Sequence, residues 1–401
     1  MEVSLFEASD YFGGHTNTID VSLDGVTFPV DTGFLVHNDR TYPNLVPFFE
    51  ELGVDVHQSD MTFSVQNLQQ QLYWAGTDLN TVFAQRKNLV SIRFYRFLSE
   101  IMRFNRNSAS YLERSGSNLQ LTLGQLLKNE GYSTEFSEWY LLPMGGSIWS
   151  TPTEKMLEFP AYTFLQFCMN HGLLQLTDRP QWKTVVGGCR TYVGKALARV
   201  SNKYLKEPVQ SVVPTERGVR ITTNHRTEDF DACIICTHPP QTIVMLAEAD
   251  TETLSALSCF RYQPNMAVVH TDETALPPKR AWAAWNYCST GNDQEAVSVS
   301  YLINLLQPLP TQKPVIVTLN PIVDIAEDKV LRKINYEHPL FDEAAVQAQH
   351  KMKKLQGKNG IYYAGAWMRY GFHEDGILSA KWAINEMLTD HGLEHLKVEV
   401  K

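Results

Sequence analysis

The chain has 401 residues, 43% of them hydrophobic and 20% charged, with a formal net charge of -9. The acidic balance argues against a general nucleic-acid binder, which needs a basic face for phosphate; the apolar share supports a large core, expected to be divided between two domains. No apolar run reaches the roughly 18 residues of a membrane-spanning helix, and Met1 leads straight into a strand-like run, so a reduced cytoplasmic protein is expected.

The six cysteines, Cys168, Cys189, Cys233, Cys236, Cys259 and Cys288, are scattered and form no disulfide framework. Cys233 and Cys236 make a C-x-x-C in "DACIICTHPP", which reads as a buried strand ending at a turn. No second C-x-x-C or nearby His pair suggests a metal, so none is expected.

In chain order, "MEVSLFEA" reads as a short strand. "DVSLDGVTFPVDTG" reads as a hairpin turning at Asp24-Gly25. Residues 43–53 suggest a short helix ended by Gly53, and "MTFSVQNLQQQLYWAG" a second hairpin. From about 78 to 180 the periodicity is helical, with Phe94, Phe97, Ile101 and Phe104 on one face. "VVGGCRTYVGKALARV" reads as a turn and helix. "PVQSVVPTERGVRITTNHRTEDFDACIICTH" suggests three strands. "MAVVHTD", "AWAAWNY", "AVSVSYLI" and "PVIVTLN" alternate as strands do. "FDEAAVQAQHKMKKL" reads as a helix, "GIYYAGA" as a strand and "GILSAKWAINEML" as a closing helix.

Glu7 ends the first strand-like run, where a dinucleotide fold places an acidic residue for ribose hydroxyls. The next residues include Gly13-Gly14, followed by His15, Thr16 and Asn17. Glycines there let backbone N–H groups approach an anion.

Four blocks, "FEASDYFGGHTNT", "VDTGFLVHNDRTYPNL", "VVGGCRTYV" and "YYAGAWMRYGFHEDGILSA", occur in this order along nearly the whole chain. Together they resemble the flavin-containing amine oxidase superfamily, in particular a bacterial branch with GGH and GFHEDG signatures. The resemblance implies a Rossmann-like FAD-binding domain of α/β class, interleaved with an α+β substrate domain built on a mixed or antiparallel sheet. The nucleotide domain would comprise 1–60, 185–262 and 346–393, and the substrate domain 61–184 and 263–345. It also implies FAD as a non-covalent cofactor, since no Cys lies in 361–381. Glu7 would hold the adenosine ribose. Gly13, Gly14 and His15 would lie along the pyrophosphate and ribityl chain, His15 standing where many relatives have Arg. Val209 would pair with the adenine edge. Gly365, Ala366, Asp375, Gly376 and Ile377 would surround the ribityl chain and pyrimidine ring. A helix opening near Asp375 to Ile377 would point unpaired N–H groups and a positive dipole end at the reduced ring.

Two departures stand out. Ala366 replaces an Asp common in relatives, removing one polar contact to the ribityl chain. The strand, G-x-G-x-x-G turn and helix that the family places before the "FEA" strand do not occur in this chain. The expectation is an N-terminally shortened flavoprotein whose first βα unit is missing. Such a chain would have two unpaired strand edges and weak FAD binding.

His373, in "MRYGFHEDG", is a candidate general acid/base, or else a residue that orients the loop. Trp74, Phe83, Trp139, Trp149, Trp282, Trp285 and Tyr301 are candidate walls of an apolar substrate cavity. "FAQRKNLVSIRFYRFLSEIMRFNR", residues 83–106, has six basic residues and one acidic one. It reads either as a helix lying on an anionic membrane, which would make the protein peripheral to the inner membrane face, or as a helix over the substrate cavity with solvated arginines. The acidic balance of the whole chain favours the second. The expected activity is dehydrogenation of a C–C or C–N bond in an apolar or lipid-like small molecule. The alternatives are a flavin-dependent mutase using Arg93, Arg96 and Arg103 for phosphate, and a non-catalytic binding protein.

Overall fold

The computed structural model describes residues 1–118, 120–149, 152–175, 179–246, 249–291 and 297–401. Strand β1 (Ser4–Glu7) runs parallel to β9 (Asn202–Leu205), with Glu7 opposite Leu205. A second parallel pair joins β13 (Cys233–Ile235) to β19 (Ile361–Tyr363). Parallel neighbours need long crossovers, which here are whole segments of the rest of the chain. Among the described residues no strand links the two pairs, so each keeps unpaired edges. Strands β10 (Val209–Thr215), β11 (Gly218–Thr223) and β12 (Thr227–Phe230) form an antiparallel meander beside them.

The hairpin of β2 (Thr18–Leu23) and β3 (Val26–Asp31) turns at Asp24-Gly25, with φ of 53° and 78°. A three-stranded sheet joins β4 (His37–Asn38), β8 (Trp182–Val185) and β5 (Val56–Ser59) in that order. The largest sheet has seven strands. It contains β6 (Phe63–Asn67), β7 (Leu72–Ala75), β14 (Arg261–His270), β15 (Trp285–Ser289), β16 (Ser298–Leu302), β17 (Ile316–Leu319) and β18 (Val330–Leu340). Its order is β18-β14-β17-β16-β15-β6-β7, and β15 against β6 is its parallel contact.

Helices cover this sheet. The longest, Ile92–Gly116, starts where the Ser91 hydroxyl accepts from the Phe94 N–H, and it buries Phe94, Phe97, Ile101 and Phe104. That face packs into the core with Trp74 and Trp139. The main core runs from Val21 through the helices to Phe341. A second core joins the meander and the β13–β19 pair to the helix Glu343–Lys354 through Val212, Ile235, Ala348 and Tyr363. Val21, Phe28 and Phe49 therefore pack with the larger core, although the sequence groups them with the nucleotide segments.

Most elements fall where the sequence puts them. Residues 208–238 form four strands rather than three, because β13 leaves the meander to pair with β19. Strands β5, β8, β9 and β18 give no clear sequence signal. Strand β18 lies at a sheet edge, and its Arg332, Lys333 and Glu337 hide the alternation. Ala296, which opens "AVSVSYLI", lies outside the described residues, as do residues 119, 150–151 and 176–178 of the helical stretch.

Candidate cofactor and substrate site

A cavity of about 1110 Å³ opens where the two cores meet, larger than the roughly 300–1,000 Å³ usual for a small-molecule site. Its wall is assembled from segments far apart in sequence. They are the turn Gly13–Thr16, the helix Leu45–Glu51, the aromatic residues Trp149 and Phe167, the Glu337–Pro339 end of β18, and residues 365–377.

The turn is closed by the Thr16 N–H donating to the Gly13 carbonyl at 2.9 Å. Gly13 has φ of 125°, and a Cβ there would lie 2.6 Å from the Thr16 oxygen, so the turn requires glycine. Gly14 and Gly376 also line the cavity, and a Cβ at either would meet nothing within 4 Å. Both glycines therefore leave room for a bound group to approach the backbone.

Three imidazoles meet on the same wall. His15 lies 5.8 Å from His238 and 5.4 Å from His338, ring centre to ring centre. Tyr336 stacks on His15, and Tyr262 on His238. Burial pushes all three down, His15 and His238 to about 4 and His338 to about 3, and for His15 and His338 the neighbouring imidazoles add to the effect. They are neutral at pH 7 and offer N–H groups without net charge. His15 Nε2 and His238 Nδ1 are buried with no hydrogen-bond partner. A buried polar atom without a partner is costly, and a ligand atom would satisfy it.

His373 opens the helix His373–Asp390, so the helix begins two residues before the expected Asp375. The Gly376 N–H is already bonded to the Phe372 carbonyl at 3.1 Å. The unpaired first-turn donors therefore belong to His373, Glu374 and Asp375. The His373 ring stacks on Phe34 at 3.7 Å. Its Nε2 is within hydrogen-bond reach of Tyr192 Oη and lies 3.2 Å from Thr16 Oγ1. Burial pushes its pKa down to about 3. It is a neutral ring whose Nε2 is engaged.

Asp375 turns away from the cavity and accepts from the Phe372 and Tyr370 N–H groups at 3.0 and 3.2 Å. Burial raises its pKa to about 7 despite those bonds and nearby Arg369. Glu374 is buried and accepts from Asn44 N, Leu45 N and Asn44 Nδ2, the last at 2.7 Å. It thereby fixes the start of the helix Leu45–Glu51 against the start of the helix His373–Asp390.

Gly365, Ala366 and Ile377 line the cavity as well. Glu7 and Val209 do not. They lie beyond it and near each other, since the Glu207 N–H donates to the Glu7 carbonyl at 2.9 Å. Of the aromatic residues named from sequence, Trp149, Trp285 and Tyr301 form cavity wall, while Trp74, Phe83, Trp139 and Trp282 do not. No residue of the helix Ile92–Gly116 reaches the cavity, so its apolar face covers core rather than substrate space. Arg93, Arg96 and Arg103 are exposed, so they supply no phosphate contacts inside the cavity. Sequence reasoning missed His238, His338 and Lys381 as wall residues. The His-Pro pairs at 238 and 338 were the available signal.

Residues 1–276 match the model of the flavin containing amine oxidoreductase family. The chain belongs to this family. No curated protein matches. Among solved structures, a protein provisionally named protoporphyrinogen oxidase from an Exiguobacterium species shares 15% identity at a TM-score of 0.66, covering 97% of this chain and 93% of its own. A fatty acid isomerase from P. acnes that produces CLA shares 12% at 0.65, covering 96% and 92%. A cyclohexylamine oxidase from Brevibacterium oxydans shares 14% at 0.64, covering 96% and 93%. At these identities the likeness shows a common Rossmann-like flavoprotein fold.

The protein is accordingly an FAD-dependent oxidoreductase with a non-covalently held flavin. The cavity suits that group. It has open space over Gly14 and Gly376 and unpartnered ring nitrogens on His15 and His238, and no cysteine lies in 361–381. Gly14, His15, His238, Gly365 and Gly376 are the residues that would hold the flavin half. Glu7 and Val209 would serve the adenosine half outside the cavity.

Proposed function

We propose that the protein dehydrogenates a C–C or C–N bond of a largely apolar small molecule. Bound FAD would supply the hydride acceptor at its N5. The observation that carries the reading is the substrate side of the cavity wall, where Met61, Trp149, Phe167, Leu173, Trp182, Trp285 and Tyr301 offer apolar and aromatic surface. Such a wall excludes water and holds an apolar carbon chain by area. Lys381, the lysine on this wall, is held by Asn44 Oδ1 at 3.0 Å. The Trp285 indole N–H is buried without a partner, with its ring edge-on to Tyr301 at 4.7 Å. It provides one fixed donor for a single acceptor on the substrate.

His373 acts by position in this scheme. With Nε2 engaged and its pKa near 3, it is a neutral imidazole at neutral pH and carries no imidazolium proton to give. It anchors the start of its helix against Tyr192 and Thr16.

The test is anaerobic mixing of the FAD-loaded protein with long-chain apolar compounds and, separately, with a small polar diamine. Bleaching of flavin absorbance by an apolar compound is expected. Bleaching by the diamine alone would sink the reading. Isomerisation of an apolar chain is the second reading, supported by the same wall and by the fold shared with the fatty acid isomerase. It would give turnover with no electron acceptor consumed.

A further inference from the structure

Segment 79–106 has an outer surface that the cavity does not use. Leu79, Leu89, Val90, Ile92, Tyr95 and Met102 are exposed, Val90 and Ile92 each at 87%. Side chains of such size are not normally left in water as a group. The inward residues of the helix Ile92–Gly116 already fill the core, so these six are surplus to its packing. Helical spacing puts Ile92, Tyr95, Arg96, Met102, Arg103 and Arg106 along one outer stripe. Arg86 and Lys87 stand on the short helix Arg86–Val90 just before it.

The exposed charge that residues 79–106 contribute to this face has one sign. All six basic residues between 79 and 106 are exposed, while the single carboxylate, Glu100, is buried, accepts from Ser133 and pairs with Arg96 at 3.5 Å. Arg93 is paired with Glu135 and lies over Trp139, and Arg103 lies over Tyr132 at 4.0 Å. These contacts fix where the two guanidinium groups sit. On a chain of net charge -9 the cluster runs against the balance of the whole.

We propose that this face docks the protein on an anionic phospholipid surface, with Val90 and Ile92 entering the headgroup boundary and the surrounding cations meeting lipid phosphates. Charge complementarity selects that occupant. A second copy placed on the same patch by two-fold symmetry would set cation against cation. A neutral apolar partner would leave the cations without counter-charge. No helix among the described residues is long and apolar enough to cross a membrane, so the contact lies on the surface. Apolar side chains beside arginines and lysines are the composition that binds this interface.

The test uses the full chain and sedimentation with vesicles of phosphatidylcholine alone or with added phosphatidylserine. Binding to the anionic vesicles only, weakening as salt rises, is expected. Arg86→Glu with Lys87→Glu should lower partitioning by at least about fivefold for each cation removed. Val90→Glu with Ile92→Glu should lower it further, with unchanged circular dichroism and melting, because both side chains are solvent-exposed. Equal binding to neutral vesicles, no binding to either, or variants that bind like the parent would overturn the proposal. So would self-association in solution that Val90→Glu with Ile92→Glu abolishes, which would assign the patch to a second copy.

Discussion

Acid should unfold this protein before most of its carboxylates titrate, Asp375 at about 7 being the exception. His37 and His270 are 1% and 0% exposed, and burial holds both at about 4. On the cavity wall His15, His171 and His238 are also held at about 4, and His338 and His373 at about 3. In the unfolded chain each imidazole returns to about 6.5. Below that pH the unfolded state binds more protons than the native one, so stability falls as pH falls. At about pH 5 each native-neutral histidine costs roughly 2 kcal/mol, from 1.36 kcal/mol per pH unit over about 1.5 units. His37 and His270 together give about 4 kcal/mol, and the wall histidines, which cofactor and water can reach, add a smaller amount each. Asp375 opposes this: held at about 7, it takes up its proton in the native state first and returns roughly 2–3 kcal/mol by about pH 5, so the net loss is a few kcal/mol against the ~5–15 kcal/mol stability of a folded protein. Circular dichroism and tryptophan fluorescence followed during acid titration should show a midpoint between about pH 5 and 6, above the carboxylate range. A protein still native at about pH 4 would refute the reasoning, because the buried imidazoles would then be accepting protons without penalty.

Three other changes probe the site. Glu374→Ala leaves the Asn44 and Leu45 N–H groups buried without acceptors, and should cost roughly 2–5 kcal/mol in urea denaturation; a loss under about 1 kcal/mol would mean that water replaces the carboxylate. Gly376→Val places side-chain carbons in open cavity, so FAD affinity should drop at least about tenfold while the flavin-free protein melts as before; equal affinity would show that FAD does not pass this glycine. His238→Leu removes a buried ring nitrogen that has no hydrogen-bond partner, and equilibrium dialysis should show FAD held roughly tenfold or more less tightly, whereas unchanged binding would remove His238 from the cofactor's contacts.

The legible part of the fold was the part written in local pattern. The Asp24-Gly25 hairpin, the helix ended by Gly53 and the alternating strands of the large sheet needed only turn chemistry and side-chain period. Strand β18 was hidden because an edge strand tolerates Arg332, Lys333 and Glu337 along its length. The site was legible by halves. Gly13, Gly14, Gly365 and Gly376 came from motif blocks, and the structure brings all four to one cavity. His238 and His338 could not be found that way, because their meaning lies in a distance of 5.4–5.8 Å to His15 across more than 200 residues of chain. Asp375 shows the opposite failure. Its position in the motif was right, but its side chain is spent on the N–H groups of Tyr370 and Phe372.

The same geometry explains why a cavity assembled from such distant segments can hold one shape. Its seams are buried polar joints. Glu374 binds the Asn44 and Leu45 N–H groups, while Lys381 holds the Asn44 side-chain carbonyl oxygen at 3.0 Å. Asp31 accepts from Cys189 N at 2.9 Å and Gln307 Nε2 at 2.9 Å, tying β3 to the Gly187-Gly188 turn and to the residues after β16. Apolar contacts alone would let these segments slide, since area is indifferent to register. A half-made buried joint costs more than none, so such joints reject every alignment but one. Eight buried side-chain polar atoms among the described residues have no partner, and four of them, on His15, His238, Trp285 and Trp367, belong to residues that line this cavity. Half of these open hydrogen bonds therefore sit on one cavity, where a ligand can complete them.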